Sequence, residues 1–241
     1  MKAVFLSDAH LTGDRDEGYR KLLRFFDEIR NETSHIVIAG DLFDFWFCDD
    51  RNLYPGFKEM FEALIKLRQG GITLSLLEGN HDFFLDRAFN GHDIAVFKNH
   101  ALFDFDGLKV YVSHGDTVDG SNRYYLLLRR FLRSGLFYSV QKRIPSRLLW
   151  EMARLSSHSS RRYQKHPERI VSVMRSFARE KIGAGIDAVV LGHSHQPILE
   201  QVGAGTRTGT LALLGDWVEH FSYISLEDGR FSLEFFRTAT Q

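Results

Sequence analysis

Cysteine is nearly absent from this sequence, and long apolar runs are missing altogether. Cys48 stands alone among 241 residues, which excludes a disulfide framework and a zinc site built from several thiolates. No apolar run approaches the ~18 residues that a membrane-spanning helix needs, and the apolar start of the chain meets Asp8 too early for a secretory signal. These absences predict a folded protein of the reducing cytoplasm.

Net charge is also absent, but the charges are unevenly distributed. The chain has 31 basic and 31 acidic residues. Eleven of the basic residues and a single acidic one, Glu151, lie within residues 120–166, so this segment carries +10 and the rest of the chain −10. Such a separation indicates two surfaces with different partners.

The first 80 residues alternate between strand-like and helix-like patterns. Short apolar runs at 3–7, 35–39 and 72–77 predict buried strands, and the segments between them carry apolar residues at helical spacing. This alternation predicts a layered α/β domain. With no internal repeat and no linker rich in proline or serine, residues 1–241 are expected to form a single domain.

The second half of the chain predicts a hairpin, a helical insertion and further strands. Asp106-Gly107 joins two strand-like runs, at 101–105 and 108–113. The basic segment, 120–166, has apolar residues at helical spacing and is divided by Pro145, so it reads as a helical insertion. Pro167 is expected to open a helix. Strands are predicted at 186–191 and, as antiparallel strands, at 210–214, 221–226 and 231–236.

Five polar clusters directly follow strand-like runs. They are Asp8-Ala9-His10, Gly40-Asp41, Gly79-Asn80-His81-Asp82, His114-Gly115-Asp116 and Gly192-His193-Ser194-His195. Taken singly, each is explained by a turn, a cap or an ordinary loop histidine. Because the carboxyl ends of strands in layered α/β folds meet at one edge, the ordered set instead predicts one shared site.

The clusters offer imidazole and oxygen ligands without a thiolate. Such a mixture suits manganese, iron or zinc in a site with open positions. The candidate ligands are Asp8, His10, Asp41, Asn80, His114, His193 and His195. Seven side chains exceed what one ion takes from a protein, whereas two ions ~3.5–4 Å apart that share a carboxylate account for them. Asp41 is the natural bridge, since it is the lone ligand of its cluster.

These motifs, in this order, resemble the calcineurin-like metallophosphoesterase family. The resemblance implies a four-layer αββα sandwich, with Asp8, His10, Asp41 and His195 on one metal and Asp41, Asn80, His114 and His193 on the other. It implies that a hydroxide held between the metals attacks phosphorus. His81 is better placed to contact phosphate or to protonate the leaving oxygen than to bind metal. Asp82 is expected either to orient His81 in catalysis or to cap the following segment.

The residues around the motifs resemble one subfamily more closely. Residues 40–47, 79–85 and 114–117 look like the UDP-2,3-diacylglucosamine hydrolases of lipid A synthesis, which also carry a long insertion at this place. The resemblance implies a helical lid at 120–166, two divalent ions that are usually Mn²⁺, and cleavage of a lipid-linked nucleotide sugar to 2,3-diacylglucosamine 1-phosphate and UMP. The substrate contacts carried over are Asn80, His81, Asp119, Asn122, Arg161 and His193.

The basic insertion is open to two interpretations. Its arginines suit phosphate groups, and its apolar residues, among them Leu126, Leu127, Phe131 and Phe137, suit acyl chains or a bilayer. Alternatively, the apolar residues pack on the core and the arginines are solvated. The first interpretation favours a cytoplasmic enzyme held peripherally on the anionic inner membrane face, with no nucleic-acid partner. The alternatives are a soluble metallophosphoesterase acting on nucleotides, phosphodiesters or phosphoproteins, and a scaffold without catalysis.

Overall fold

The computed structural model describes residues 1–46, 48–49, 52–144, 148–151 and 167–237. Within them, the first sheet has the strand order β11-β10-β1-β2-β3-β4 and contains β1 (Lys2–Leu6), β2 (His35–Ala39), β3 (Thr73–Leu77), β4 (Ala95–Phe97), β10 (Ser222–Glu227) and β11 (Arg230–Phe235). The second sheet has the order β5-β6-β7-β9-β8 and contains β5 (His100–Phe105), β6 (Leu108–Ser113), β7 (Ala188–Leu191), β8 (Pro197–Ala204) and β9 (Arg207–Leu214).

The centre of each sheet is parallel and its edges are antiparallel. Strands β1 to β4 run parallel, and β10 and β11 extend that sheet in antiparallel fashion. Strands β6, β7 and β9 also run parallel, between antiparallel β5 and β8. Loops that leave the central strands of one sheet therefore emerge together at the carboxyl edge of that sheet.

Alternating side chains place each sheet between two apolar layers. Ala3 and Phe5 of β1 pack in the cluster that also holds Val110 and Val190 of the second sheet. Val4 and Leu6 point the other way, towards the helices on the outer face of the first sheet. The outer face of the second sheet has its own apolar cluster. This alternation of period two produces the expected four-layer αββα sandwich.

Helices cover both outer faces. The described helices are α1 (Glu17–Ile29), α2 (Lys58–Gln69), α3 (Asp86–Phe89), α4 (Arg123–Leu132), α5 (Gly135–Gln141) and α6 (Pro167–Gly183), with short 3₁₀ turns at Pro55–Phe57 and Asn90–His92. Pro167 opens α6 as predicted. Pro145 and most of the second half of the predicted insertion lie outside the described residues. Among the residues that are described, no helix has the length and apolar character needed to cross a bilayer.

The strand prediction needs two corrections. The run at 210–214 belongs to β9, which pairs in parallel with β7, so the three C-terminal runs are not one antiparallel set. Strands β4 and β8 were missed. Strand β4 has only three residues, and β8 begins at a proline and holds polar residues and a glycine, which is the composition of an edge strand rather than of a buried one.

Helix α4 turns its apolar side outward. Leu127 is 69% exposed and Phe131 is 53% exposed. By contrast, the side chains of Arg129 and Arg133 are only 13% and 12% exposed. No residue of α4 is buried in the core. The interpretation in which the apolar residues pack on the core and the arginines are solvated therefore fails for these four residues, whereas Arg123 and Arg130 are exposed as it expects.

Candidate metal centre

The five predicted clusters meet where the carboxyl edges of the two sheets come together. The backbone N–H of His193, after β7, donates to Asp8 Oδ2, after β1, over 2.8 Å. The imidazole Nδ1 of His114, after β6, lies 3.0 Å from the carbonyl oxygen of Ala39, at the end of β2. These contacts join loops of one sheet to loops of the other, so the candidate ligands form one site.

The loops after β1 and β2 continue the pairing of those strands. Asp8 N donates to the Gly40 carbonyl over 3.1 Å, and His10 N donates to the Asp41 carbonyl over 2.9 Å. Asp8, His10 and Asp41 are thereby fixed relative to one another by main-chain hydrogen bonds. The sequence supports this because each polar cluster begins as soon as its apolar run ends, so the ligands stand one to four residues beyond a rigid strand.

Five of the candidate ligands adopt left-handed backbone conformations. The φ angles are 55° for Asp8, 45° for His10, 52° for Asp41, 66° for His193 and 55° for His195. Positive φ is uncommon outside glycine, although aspartate and histidine adopt it more readily than most residues. Such conformations concentrate at functional sites, where the surrounding structure holds them.

The Asp82 carboxylate holds two of these loops. Its Oδ1 accepts hydrogen bonds from Gly79 N at 2.9 Å and Asp41 N at 3.0 Å. Its Oδ2 accepts from Leu42 N at 2.7 Å and Phe43 N at 3.2 Å. The carboxylate is fully buried and is directed at the main chain around Asp41. Burial and the Asp41 charge raise the pKa of Asp82 to about 7, against the opposing effect of the N–H donors.

Two glycines allow the loops to approach this closely. A Cβ on Gly79 would overlap Asp41 Oδ1 and would lie 2.5 Å from Asp41 N. A Cβ on Gly192 would lie 2.6 Å from Ser7 Oγ and 2.8 Å from Asp8 Oδ2. Any side chain at either position would displace a candidate ligand.

Asp8, His10 and His195 form the first group of donors. The Nε2 atoms of His10 and His195 are 3.3 Å apart, and they lie 3.8 Å and 3.4 Å from Asp8 Oδ1. Donor atoms about 2.1 Å from a common ion stand roughly 3–3.5 Å from one another. The spacing of these three side chains therefore matches the ligand shell of one cation.

Asp41 lies between this group and a second one. Its Oδ2 is 3.8 Å from His10 Nε2 on one side and 3.4 Å from His114 Nε2 on the other. Asn80 Oδ1 is 3.0 Å from the same His114 nitrogen. The His193 ring packs edge-on against His114, with centroids 5.2 Å apart. One carboxylate oxygen thus faces donors on both sides, as the bridging position requires.

The donor set fits a pair of divalent cations. Asp8 Oδ1 is buried and accepts no hydrogen bond from the described part of the chain, although its partner oxygen accepts two. A buried carboxylate oxygen without a donor is costly unless a cation compensates it. His114 directs Nδ1 at the Ala39 carbonyl, which leaves the lone pair of Nε2 for a metal.

The histidines and carboxylates of this site shift one another's pKa values. Burial raises the pKa of Asp41, but the charges of His114, His81 and His10 outweigh burial and lower it well below its usual range. Burial lowers the pKa of His114, yet Asp41 and the nearby Asp8 and Asp116 raise it to about 10. Burial and the His114 charge lower the pKa of His193 to about 4, so His193 is neutral at pH 7. The protons held here are those that bound metal ions would displace.

Two further carboxylates orient the histidines and were missed in the sequence. Asp44 Oδ1 lies 3.4 Å from His10 Nδ1, and Asp216 Oδ2 lies 3.6 Å from His195 Nδ1. Carboxylates on the far nitrogen of a histidine fix its tautomer and ring orientation. Asp216 carried a usable signal, because Gly215-Asp216 follows the apolar end of β9 in the same manner as the five clusters. Asp44 is visible only in the folded loop.

His81 lies beside this centre with a defined tautomer. Its Nδ1 is 3.0 Å from the Asp44 carbonyl oxygen, which can only accept, so Nδ1 carries a proton. Its ring meets the His10 ring edge-on at 4.8 Å, and its backbone N–H donates to Asp41 Oδ1 over 2.8 Å. The Asp82 carboxylate is engaged with backbone N–H groups of 41–43 and 79, and not with the His81 ring.

Asp119 and Asn122, which are expected to contact the substrate, form hydrogen bonds within the protein at the start of the insertion. Asp119 accepts hydrogen bonds from Ser121 and lies 3.5 Å from Arg169 Nη2. Asn122 caps α4 by accepting from Tyr125 N over 3.2 Å. Arg161 lies outside the described residues. The roles of Asn80, His81, Asp119, Asn122 and His193 towards a substrate stay predictions.

Comparison with known proteins decides the family. Residues 1–197 match the model of the calcineurin-like phosphoesterase family. The chain belongs to this family. An archaeal phosphodiesterase has the same fold, with a TM-score of 0.53 at 13% identity over 98% of this chain and 100% of that one. The protein is accordingly a metal-dependent hydrolase.

Curated relatives extend the similarity over almost the whole chain. A UDP-2,3-diacylglucosamine hydrolase of Pseudomonas fluorescens strain Pf0-1 is 27% identical over 240 residues, covering 95% of this chain and 94% of the relative. The hydrolase of that name from Pseudomonas aeruginosa is 28% identical over 227 residues, 90% of this chain and 91% of its own. A third, from Stenotrophomonas maltophilia, is 28% identical over 244 residues, 97% and 98% respectively. With 90% or more of this chain covered, the matches extend across the basic insertion.

Proposed function

We propose that this protein hydrolyses the pyrophosphate of UDP-2,3-diacylglucosamine, releasing 2,3-diacylglucosamine 1-phosphate and UMP. The observation that carries the proposal is the whole-length similarity to curated hydrolases of that substrate. It is supported by the exposed apolar side of α4, which belongs to the segment that the resemblance assigns to a lid.

Two divalent ions are assigned to the donors from the resemblance to the family, and the spacing of several donors supports the assignment. Asp8, His10 and His195 would hold the first, Asn80, His114 and His193 the second, and Asp41 would bridge them. Bound ions supply Lewis acidity: they offset charge on phosphoryl oxygens and lower the pKa of water. The set of imidazole nitrogens and carboxylate or amide oxygens, with no thiolate, suits manganese, iron or zinc. Mn²⁺ is proposed because the resemblance to the hydrolases implies it.

The chain's own residues position the substrate and move a proton. The lone pairs of His10, His195 and His114 converge on the centre from three loops, and Asp44 and Asp216 hold two of those rings in place. His81 is held by its Nδ1–H at the Asp44 carbonyl, so Nε2 is the ring atom left to exchange a proton. In its imidazolium form it is suited to donate a proton to the phosphate oxygen that leaves.

The apolar surface of the insertion suits a lipid. We define the α4–α5 surface as the exposed residues Tyr124, Leu127, Leu128, Phe131, Leu136 and Val140, which are 42% to 79% exposed. Soluble proteins rarely expose a contiguous apolar patch of this kind without a binding role. The exposed basic residues Arg123, Arg130, Lys142 and Arg143 flank it, and basic residues beside apolar ones favour an anionic membrane surface.

A peripheral position on the cytoplasmic face of the inner membrane follows from this arrangement. The lipid substrate would be met in the bilayer, with the acyl chains near the α4–α5 surface and the pyrophosphate near the metal centre. The partners proposed are therefore the lipid-linked nucleotide sugar and the anionic bilayer.

The decisive experiment is cleavage of UDP-2,3-diacylglucosamine with Mn²⁺, with products identified by mass, beside the model diester bis-p-nitrophenyl phosphate. Rapid formation of UMP and the lipid phosphate, with slow cleavage of the diester, would support the proposal. Cleavage of the diester alone would retain the metal chemistry and refute the substrate, pointing to soluble phosphoesters. Cleavage of neither, without metal binding, would point to a scaffold.

The role of the surface is tested separately. Leu127→Asp with Phe131→Asp should abolish sedimentation with phosphatidylglycerol vesicles and lower turnover of the lipid substrate by about tenfold or more, while hydrolysis of the soluble diester stays unchanged. Leu102→Asp is the matched control, because Leu102 is 63% exposed but lies on β5. Equal vesicle binding by both variants would refute the membrane contact.

A further inference from the structure

Helix α4 has a second, polar face that is directed at the metal centre. Tyr125, Arg129 and Arg133 recur at intervals of four residues, so they lie on one side of the helix. The α4–α5 surface occupies the opposite side. Whereas the apolar side is exposed, all three polar side chains reach residues of the loops that carry Asn80 and His114.

Arg133 holds the loop that follows β3. Its Nη1 donates to Glu78 Oε2 at 2.9 Å and to the Lys98 carbonyl at 2.5 Å, and its Nη2 donates to the Gly79 carbonyl at 2.6 Å. Glu78 Oε1 in turn accepts from Leu85 N over 3.2 Å. The side chains of Arg133 and Glu78 therefore fix both ends of the loop that presents Asn80.

Tyr125 and Arg129 hold the loop that follows β6. Tyr125 Oη donates to Asp116 Oδ2 at 2.5 Å, and Arg129 Nε donates to the same oxygen at 2.6 Å. Asp116 is two residues beyond His114 and is buried. Arg129 also reaches Asn99 Oδ1 over 3.1 Å, so one guanidinium links the β6 loop to the segment after β4.

These contacts are selective for one half of the metal centre. The loops held by α4 carry Asn80 and His114, two of the three donors assigned to the second ion alone. The third, His193, lies on the β7 loop beside His195. Asp8, His10 and His195 lie on loops from β1 and β7, where Asp44 and Asp216 orient the two imidazoles. Two of the basic side chains expected to meet phosphate are thus engaged with carboxylates of the protein itself.

We propose that Tyr125, Arg129 and Arg133 are positioning residues for the second metal ion. They act through the Asn80 and His114 loops, and they make the affinity of that ion depend on the docking of α4. The inference deepens the proposed function, because it rests on the assignment of the donors to two ions. It does not depend on the identity of the substrate.

The test is a metal titration of the whole protein. Metal-free wild type, Arg133→Ala and Tyr125→Phe are titrated with Mn²⁺, and binding is followed by calorimetry and by the electron paramagnetic resonance signal of a spin-coupled pair. In Arg133→Ala one of the two sites should lose about 10–100-fold in affinity, as for other residues that orient ligands. The other site should change less than twofold, and the coupled signal should disappear at sub-saturating metal. Tyr125→Phe should show the same selectivity with a smaller loss.

Two variants separate positioning from general structural damage. Arg130→Ala is the matched control, since Arg130 is exposed on the same helix, and it should bind both ions as wild type does. Arg133→Lys keeps the charge but cannot reach Glu78, Gly79 and Lys98 together, so it should recover only part of the lost affinity. If Arg133→Ala does not fold, Tyr125→Phe and Glu78→Gln decide the matter.

The outcomes distinguish this inference from the proposed function. Wild-type affinity for both ions in Arg133→Ala, or in Tyr125→Phe and Glu78→Gln if Arg133→Ala does not fold, would refute the positioning role and leave the substrate proposal intact. A wild type that binds two ions but ignores UDP-2,3-diacylglucosamine would refute the substrate and leave the positioning role. A wild type that binds a single ion would refute the assignment on which both rest.

Discussion

Replacing Asp82 with asparagine is expected to destabilise the protein without removing a proton-transfer step of catalysis. In the wild type, one buried carboxylate accepts four backbone hydrogen bonds, from residues 79 and 41–43. An asparagine amide in the same place keeps a single oxygen. It can satisfy the pair of N–H groups on one side only, and its NH₂ group would face the pair on the other side.

The magnitude follows from the two N–H groups left without an acceptor. An unsatisfied buried donor costs about 1–3 kcal/mol, so Asp82→Asn should lose about 2–6 kcal/mol. For a chain of this size each kcal/mol lowers Tm by roughly 2–4 °C, and a loss near the middle of that range lowers it by roughly 10 °C.

The assay is thermal unfolding at pH 8 in the presence of a chelator, so that metal loss cannot account for the change. Asp104→Asn is the matched control, because the exposed Asp104 accepts one backbone hydrogen bond, from Gly107, which an asparagine retains. It should stay within about 0.5 kcal/mol of wild type. If Asp82→Asn unfolds within 2 °C of wild type and instead removes one limb of the pH–rate profile, Asp82 acts in proton transfer and the structural reasoning is wrong.

Three further substitutions test the centre itself. Asp41→Ala should lose both ions and nearly all activity, as measured by metal content after dialysis, because it removes the oxygen that faces both groups. His81→Ala should retain both ions and lower turnover by roughly 10²–10⁴ for a poor leaving group, with a smaller loss for p-nitrophenolate; equal losses would exclude proton donation. Asp216→Asn should weaken the first ion by about 10–100-fold in a metal titration, because Asp216 lies against His195 Nδ1; unchanged affinity would contradict its orienting role.

The sequence was most informative where a single strand sets the position of a residue. Each candidate ligand follows an apolar run by one to four residues, and parallel strands bring such positions to one edge without further information. The order of clusters therefore predicted which side chains meet. The same reasoning extends to Gly215-Asp216 after β9, which was overlooked although it has the same form as Gly40-Asp41.

The features that could not be predicted from the sequence depend on contacts between segments that are distant along the chain. Asp44 is one of several polar residues after β2, and only the folded loop places it 3.4 Å from His10 Nδ1. The orientation of α4 is a second example. Its apolar and basic residues alternate around the helix, and periodicity alone does not tell which side faces the protein. The buried carboxylates Glu78 and Asp116 decide it, because in the described part of the chain their ion pairs are formed with Arg133 and Arg129 of this helix.

That orientation also changes the meaning of the charge separation along the chain. The rim of the sandwich gathers the carboxylates of Asp8, Asp41, Asp44, Glu78, Asp82, Asp116 and Asp216, all of them buried. Arg129 and Arg133 neutralise two of these from the basic segment, and the remainder surround the positions where cations are proposed. Part of the positive charge of residues 120–166 therefore forms ion pairs with buried carboxylates around the site and is not available to an outside partner. Of its basic residues in the described part of the chain, Arg123, Arg130, Lys142 and Arg143 are the exposed ones, so an anionic surface would be met by these four beside the apolar side of α4.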